Sequence, residues 1–172
     1  MKRGMTLLLA MLAVLFLLGF GLRLYLSRAA EGRLRADEVV DFKARGSAGR
    51  DNVFAACPPG YCTPAADAPS PVFAMPWQRL RDYWQEMIAA EPNTMLVEEN
   101  AERRRLTYIQ RTVWLHFPDI VTVEFVPLDE GSASLAVDSR SRYGKGDLGA
   151  NRRRVTRWIE RLQAMSRGAS GG

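Results

Sequence analysis

The stretch Ser139–Arg154 reads S-R-S-R-Y-G-K-G-D-L-G-A-N-R-R-R and joins a strand-like run to a helix-like run. It holds six arginines or lysines, one acid and three glycines. Glycines allow the dihedral angles of a tight bend, and Asp147 is a favourable residue for capping a helix start. The stretch therefore predicts a strand-to-helix corner at which backbone amides and cations gather.

The residues on both sides of this corner have regular periods. After it, apolar residues recur at the spacing of one helix face, with arginines opposite them, up to a predicted disordered tail at residues 168–172. Before it lie four β-rich runs, and apolar and polar residues alternate in the third and fourth, which predicts an antiparallel meander with one dry face and one polar face. The helical residues are Val155, Trp158, Ile159, Leu162 and Met165, opposite Arg153, Arg157 and Arg161; the strand runs are 95–98, 106–113, 120–126 and 133–140.

A second amphipathic helix is predicted at Trp77–Glu91, where Leu80, Trp84, Met87 and Ile88 share one face. A first strand is predicted before it, at Pro71–Met75. These elements predict an α+β domain over residues 52–167: an antiparallel four- to five-stranded sheet with two packed helices, in β-α-β4-α order.

The chain begins with an apolar segment, Met5–Leu22, that contains no charged residue. As a helix it would extend roughly 27 Å, close to the hydrocarbon thickness of a bilayer. We predict an N-terminal transmembrane helix within a membrane anchor at residues 1–28, followed by a tether at 29–51. Because Ser27-Arg28-Ala29 is a poor cleavage site, an uncleaved anchor is favoured over a signal peptide.

Two features disagree about the side of the membrane on which the domain lies. Cations are more numerous after the apolar segment than before it, which by itself would place the domain in the cytoplasm. The only cysteines, Cys57 and Cys62, share the turn-rich loop C-P-P-G-Y-C, which favours a disulfide over two reduced thiols and hence an oxidising compartment. We therefore predict a single-pass inner membrane protein with a periplasmic domain. These cysteines with one distant histidine do not supply a zinc site, so no metal is expected.

The charge of the chain argues against nucleic-acid binding. Four of its 24 cations lie in the first 28 residues, which leaves 20 cations against 19 acids in the remainder. A nucleic-acid-binding domain needs a surplus of cations to neutralise phosphates.

The corner has two competing interpretations. Asp119 and Asp147 would pair with Arg140, Arg142 or Arg154 in a structural network, which is the favoured interpretation. Alternatively, Arg111, Arg140 and Arg142 would hold an anion beside the free amides of the helix start. The candidate residues for either arrangement are Arg111, Asp119, Arg140, Arg142, Tyr143, Asp147, Asn151 and Arg154.

Several motifs resemble the domain of unknown function 1499 family. They are Q-R-T at 110–112, F-P-D at 117–119, S-R-S-R-Y-G at 139–144 and D-L-G-A-N-R-R-R at 147–154. C-P-P-G-Y-C at 57–62 is similar to the first segment of the domain in proteobacterial members. The resemblance covers roughly residues 52–162. It implies a small α+β domain, often exported or membrane-attached, without an established activity.

No residue pattern indicates catalysis or a cofactor. His116 lies between Leu115 and Phe117 and is interpreted as a packing residue, and no nucleophile elbow, phosphate loop or dinucleotide fingerprint occurs. Three hypotheses follow: an envelope domain that binds a small amphiphilic or anionic ligand, a structural module for another membrane protein, and, as the weakest, hydrolysis that uses Asp119 or Asp147.

Overall fold

The computed structural model describes residues 2–29, 34, 38–44, 51–112 and 116–169. Its first element is helix α1, Lys2–Ala29, in which Leu7–Tyr25 forms a 19-residue stretch of mean hydropathy 2.5 with none of it buried. This helix is long and apolar enough to cross a membrane.

The domain is built on one six-stranded mixed sheet with the spatial order β2-β1-β6-β5-β4-β3. Strands β1 and β2 are parallel, and every other neighbouring pair is antiparallel. The strands are β1 (Val53–Cys57), β2 (Ala68–Pro69), β3 (Thr94–Asn100), β4 (Arg105–Arg111), β5 (Pro118–Pro127) and β6 (Ala133–Ser141).

The predicted α+β class and the meander β3 to β6 are confirmed, but the number and type of the first strands were wrong. The predicted strand Pro71–Met75 contributes only a bridge between Phe73 and Ala133. Pro71 has no backbone N–H for a ladder, and its carbonyl accepts a hydrogen bond from the Ser134 hydroxyl instead. The first long strand is β1, whose five residues are too short a run to stand out by alternation.

Helices α2 (Trp77–Ala89) and α3 (Ala150–Ala169) pack on one face of the sheet. Trp84 of α2 and Trp158 of α3 are fully buried and meet edge to face, with ring centroids 5.7 Å apart. Residues 168 and 169, predicted as part of a disordered tail, continue α3; residues 170–172 lie outside the described part of the chain.

The opposite face is covered by residues 38–44 and by the loop that Cys57 and Cys62 close with the predicted disulfide. Val40 and Phe42 are 3% and 2% exposed and pack against this disulfide, so part of the predicted tether 29–51 belongs to the folded body. The remainder of that tether, apart from residues 29, 34 and 51, lies outside the described residues. The disulfide loop thus holds the chain close to the sheet shortly after α1.

Candidate functional site

The corner between β6 and α3 is formed largely by Asp147 and the glycines. The Asp147 carboxylate accepts hydrogen bonds from the backbone amides of Gly149 at 2.9 Å and Asn151 at 2.7 Å, which caps α3. Gly149 has φ of 76°, a left-handed conformation that glycine adopts without strain. Leu148, between these residues, also has a positive φ of 52°, and its side chain is 95% exposed.

A buried polar network fixes the start of α3 against the sheet. Arg154 donates to Asp119 across 2.5 Å, and both side chains are less than 10% exposed. Its guanidinium also donates to Ser139 Oγ at 2.8 Å, to Asn151 Oδ1 at 2.6 Å and to Gln110. Because a buried charge is costly unless it is paired and hydrogen-bonded, this set satisfies Arg154 and leaves it no role as a free cation.

Two other arginines of the corner, Arg140 and Arg142, are paired on the opposite face of the sheet. Arg140 donates to Asp138 at 2.6 Å, and Arg142 makes a bidentate pair with Glu38 at 2.5 and 2.6 Å. Of the three arginines that were predicted as alternative partners of Asp119 and Asp147, Arg154 is the one that pairs, with Asp119, whereas Arg140 and Arg142 use other acids. Side chains alternate between the two faces of a strand, so Arg140 lies on the face away from α3. The partner of Arg142, Glu38, comes from a segment far upstream in sequence.

The structure forms an open groove of about 420 Å³ where the end of α2, the end of β4 and the first turns of α3 meet. We call it the arginine groove. Among the described residues that line it, Glu91 is the only acid, whereas four are arginines. The lining residues are Glu91, Pro92, Gln110, Arg111, Thr112, Ala150, Arg153, Arg154 and Arg157.

The arginine groove has more positive than negative charge. Arg154 is balanced by Asp119, and Glu91 serves both Arg157, at 2.9 Å, and Arg161. Arg153 donates to the Leu148 carbonyl at 2.9 Å, and within the described part of the chain no acid pairs with it. Arg111, at the end of β4, adds a further cation to the same lining.

Of the residues predicted as one site, Arg111 and Arg154 line the groove, Asp119 and Asn151 support it, and Asp147 caps the helix beside it. Arg140 and Arg142 lie elsewhere, and the partly exposed Tyr143 is not among the lining residues. Sequence reasoning did not assign Arg153 and Arg157 to the site, although their four-residue spacing on the charged face of α3 was the available signal.

His116 lies at the same end of the sheet, in the connection between β4 and β5, and its Nε2 is 3.0 Å from the Arg23 guanidinium of α1. Partial burial lowers the pKa of His116, and the charges of Arg23 and Arg111 lower it further. The last turns of α1 therefore lie next to the end of the domain that carries the arginine groove.

Comparison with known proteins gives a family for this arrangement. No curated protein matches the chain. The family model described as "Protein of unknown function (DUF1499)" matches residues 53–162, from the start of β1 into α3. That range includes every residue of the arginine groove and the buried network of Arg154. The chain belongs to the DUF1499 family.

Proposed function

We propose that this protein is a membrane-anchored, non-enzymatic domain that holds a small anionic or amphiphilic ligand in the arginine groove. The observation that carries the proposal is the surplus of cations around one concave surface, with Glu91 as the only acid among its described lining residues. Guanidinium groups bind carboxylates and phosphates through paired hydrogen bonds, which suits them to such ligands.

The buried network supports the proposal because it prepares the groove before a ligand arrives. Arg154 and its partners hold the first turns of α3 against β4 and β6, so Arg153 and Arg157 project from a fixed backbone. Cations that are held in position before binding lose less freedom when a ligand binds.

Helix α1 and the disulfide support the proposed location. An apolar helix of this length anchors the chain in a bilayer, and a structural disulfide is typical of an oxidising compartment. We place the domain on the periplasmic side of the inner membrane, against the count of cations around α1.

The alternative of hydrolysis loses its two candidate residues. Asp119 is paired with Arg154 inside the protein, and both oxygens of Asp147 accept backbone amides. Neither carboxylate is positioned to activate a water molecule in the groove.

The test is a titration of the full-length protein in neutral detergent with pyrophosphate at constant ionic strength. The wild type should bind, and Arg153→Ala/Arg157→Ala should lose most of the affinity while remaining folded, because Arg161 still pairs with Glu91. The matched control is Arg103→Ala/Arg167→Ala, which removes two exposed arginines that do not line the groove. Equal binding by the two double variants would contradict the proposal.

A second candidate function is assembly with another membrane protein. Two observations favour it: β3 is an edge strand with Met95 and Leu96 45% and 43% exposed, and the space between sheet and helices is filled by buried side chains that include two tryptophans. An exposed apolar edge strand can pair with a strand of a partner. Crosslinking from position 95 in intact membranes should then recover one defined partner, and diffuse products would argue against this function.

A further inference from the structure

The corner carries an apolar side chain that neither the fold nor a soluble ligand explains. Leu148 is 95% exposed and is held in a left-handed conformation by a turn whose neighbours, Asp147 and Gly149, cap α3. A leucine in this conformation is sterically unfavourable, and an asparagine or glycine would suit the backbone better. The side chain therefore gains nothing for the folded domain in water.

Leu148 is directly beside the arginine groove. The Arg153 side chain, which lines the groove, donates to the Leu148 carbonyl at 2.9 Å. An exposed leucine next to a cluster of arginines is the combination that inserts at a bilayer surface, where the apolar group enters the acyl region and the cations meet phosphates.

The position of α1 places this combination at the membrane. The apolar stretch of α1 ends at Tyr25, so Arg23 lies near the bilayer surface, where its long side chain can reach the interface. Arg23 contacts His116, which belongs to the same end of the sheet as the groove residues Arg111 and Thr112. The groove and Leu148 consequently lie at the membrane-facing end of the domain.

We propose that the occupant of the arginine groove is the phosphate of an anionic phospholipid in the bilayer that anchors the protein, with Leu148 inserted beside it. This inference rests on the proposed function and adds the source of the ligand. Each arginine near an anionic surface changes affinity by about fivefold. Removing Arg153 and Arg157 together should therefore weaken the interaction by more than tenfold.

The test is hydrogen exchange of the full-length protein in nanodiscs made of phosphatidylcholine alone or of phosphatidylcholine with phosphatidylglycerol. We expect phosphatidylglycerol to slow exchange in peptides that cover residues 110–112 and 148–153, and we expect Arg153→Ala/Arg157→Ala to abolish this slowing. Leu148→Asn, which suits the positive φ and should fold, should reduce the slowing in nanodiscs but leave pyrophosphate binding in detergent unchanged.

The outcomes separate this inference from the proposed function. Equal exchange in the two kinds of nanodisc would overturn the lipid assignment, and pyrophosphate binding would still decide whether the groove takes anions. If phosphatidylglycerol slows exchange equally in Leu148→Asn and in the wild type, Leu148 does not insert into the bilayer. Full slowing in Arg103→Ala/Arg167→Ala is expected, since those arginines do not line the groove.

Discussion

Replacing Arg154 with methionine tests whether the buried network determines the stability of the corner. The change keeps most of the aliphatic volume but leaves Asp119, 2% exposed, without its cation. It also removes the guanidinium that donates hydrogen bonds to the side-chain oxygens of Gln110, Ser139 and Asn151. Removing one partner of a buried ion pair costs roughly 3–5 kcal/mol. That loss is a large fraction of the about 5–15 kcal/mol that stabilises a typical domain.

The assay is urea unfolding of the full-length protein in micelles, followed by the fluorescence of the tryptophans, of which Trp84 and Trp158 are in the core. Arg81→Met is the matched control, because its ion pair with Asp82 spans 3.4 Å and is 35% and 64% exposed. Such surface pairs contribute about 0–1 kcal/mol. The double variant Arg154→Met/Asp119→Asn should recover part of the loss, since no charge is then left unpaired. A loss for Arg154→Met as small as that of Arg81→Met would mean that the buried network does not determine the stability of the corner.

Three further predictions follow from other contacts. The double substitution Cys57→Ser/Cys62→Ser should destabilise the domain by about 2 kcal/mol and speed hydrogen exchange at residues 38–44. Unchanged exchange would mean that the disulfide does not hold this segment. Asp147→Ala should cost about 1 kcal/mol in urea unfolding through the lost cap, and a neutral effect would contradict the capping role. The NMR titration midpoint of His116 should lie below its ordinary 6.5. Arg111→Ala should raise this midpoint, because the variant lacks a nearby positive charge. A midpoint lower in Arg111→Ala than in the wild type would exclude this electrostatic influence.

Most of the fold could be predicted from periodicity, because apolar and polar residues alternate clearly in the later strands of the meander, β5 and β6, and both domain helices have one apolar face. Val121, Val123 and Phe125 alternate in sequence, and all three are completely buried in the sheet beneath the helices. Segments without such periods were missed. Val40 and Phe42 lie in a charged, aperiodic region, and they join the core only through contacts in three dimensions with the disulfide loop and with Val126 and Ala136 of the sheet.

The site was less predictable because side-chain pairing depends on three-dimensional position. The sequence contained enough acids and arginines to suggest an ion-pair network, but it could not indicate that Glu38 would reach Arg142 across 104 positions. The groove itself depends on the approach of Glu91, Arg111 and Arg157 from three elements, which no local pattern encodes.

Native mass spectrometry of the full-length protein, extracted in a mild neutral detergent, shows whether the arginine groove binds an anion in the membrane from which the protein is isolated. The wild type and Arg103→Ala/Arg167→Ala should carry a bound anionic molecule, and Arg153→Ala/Arg157→Ala should be free of it. A wild type without any adduct, or an adduct that persists in Arg153→Ala/Arg157→Ala, would mean that the arginine groove does not hold an anion in the membrane.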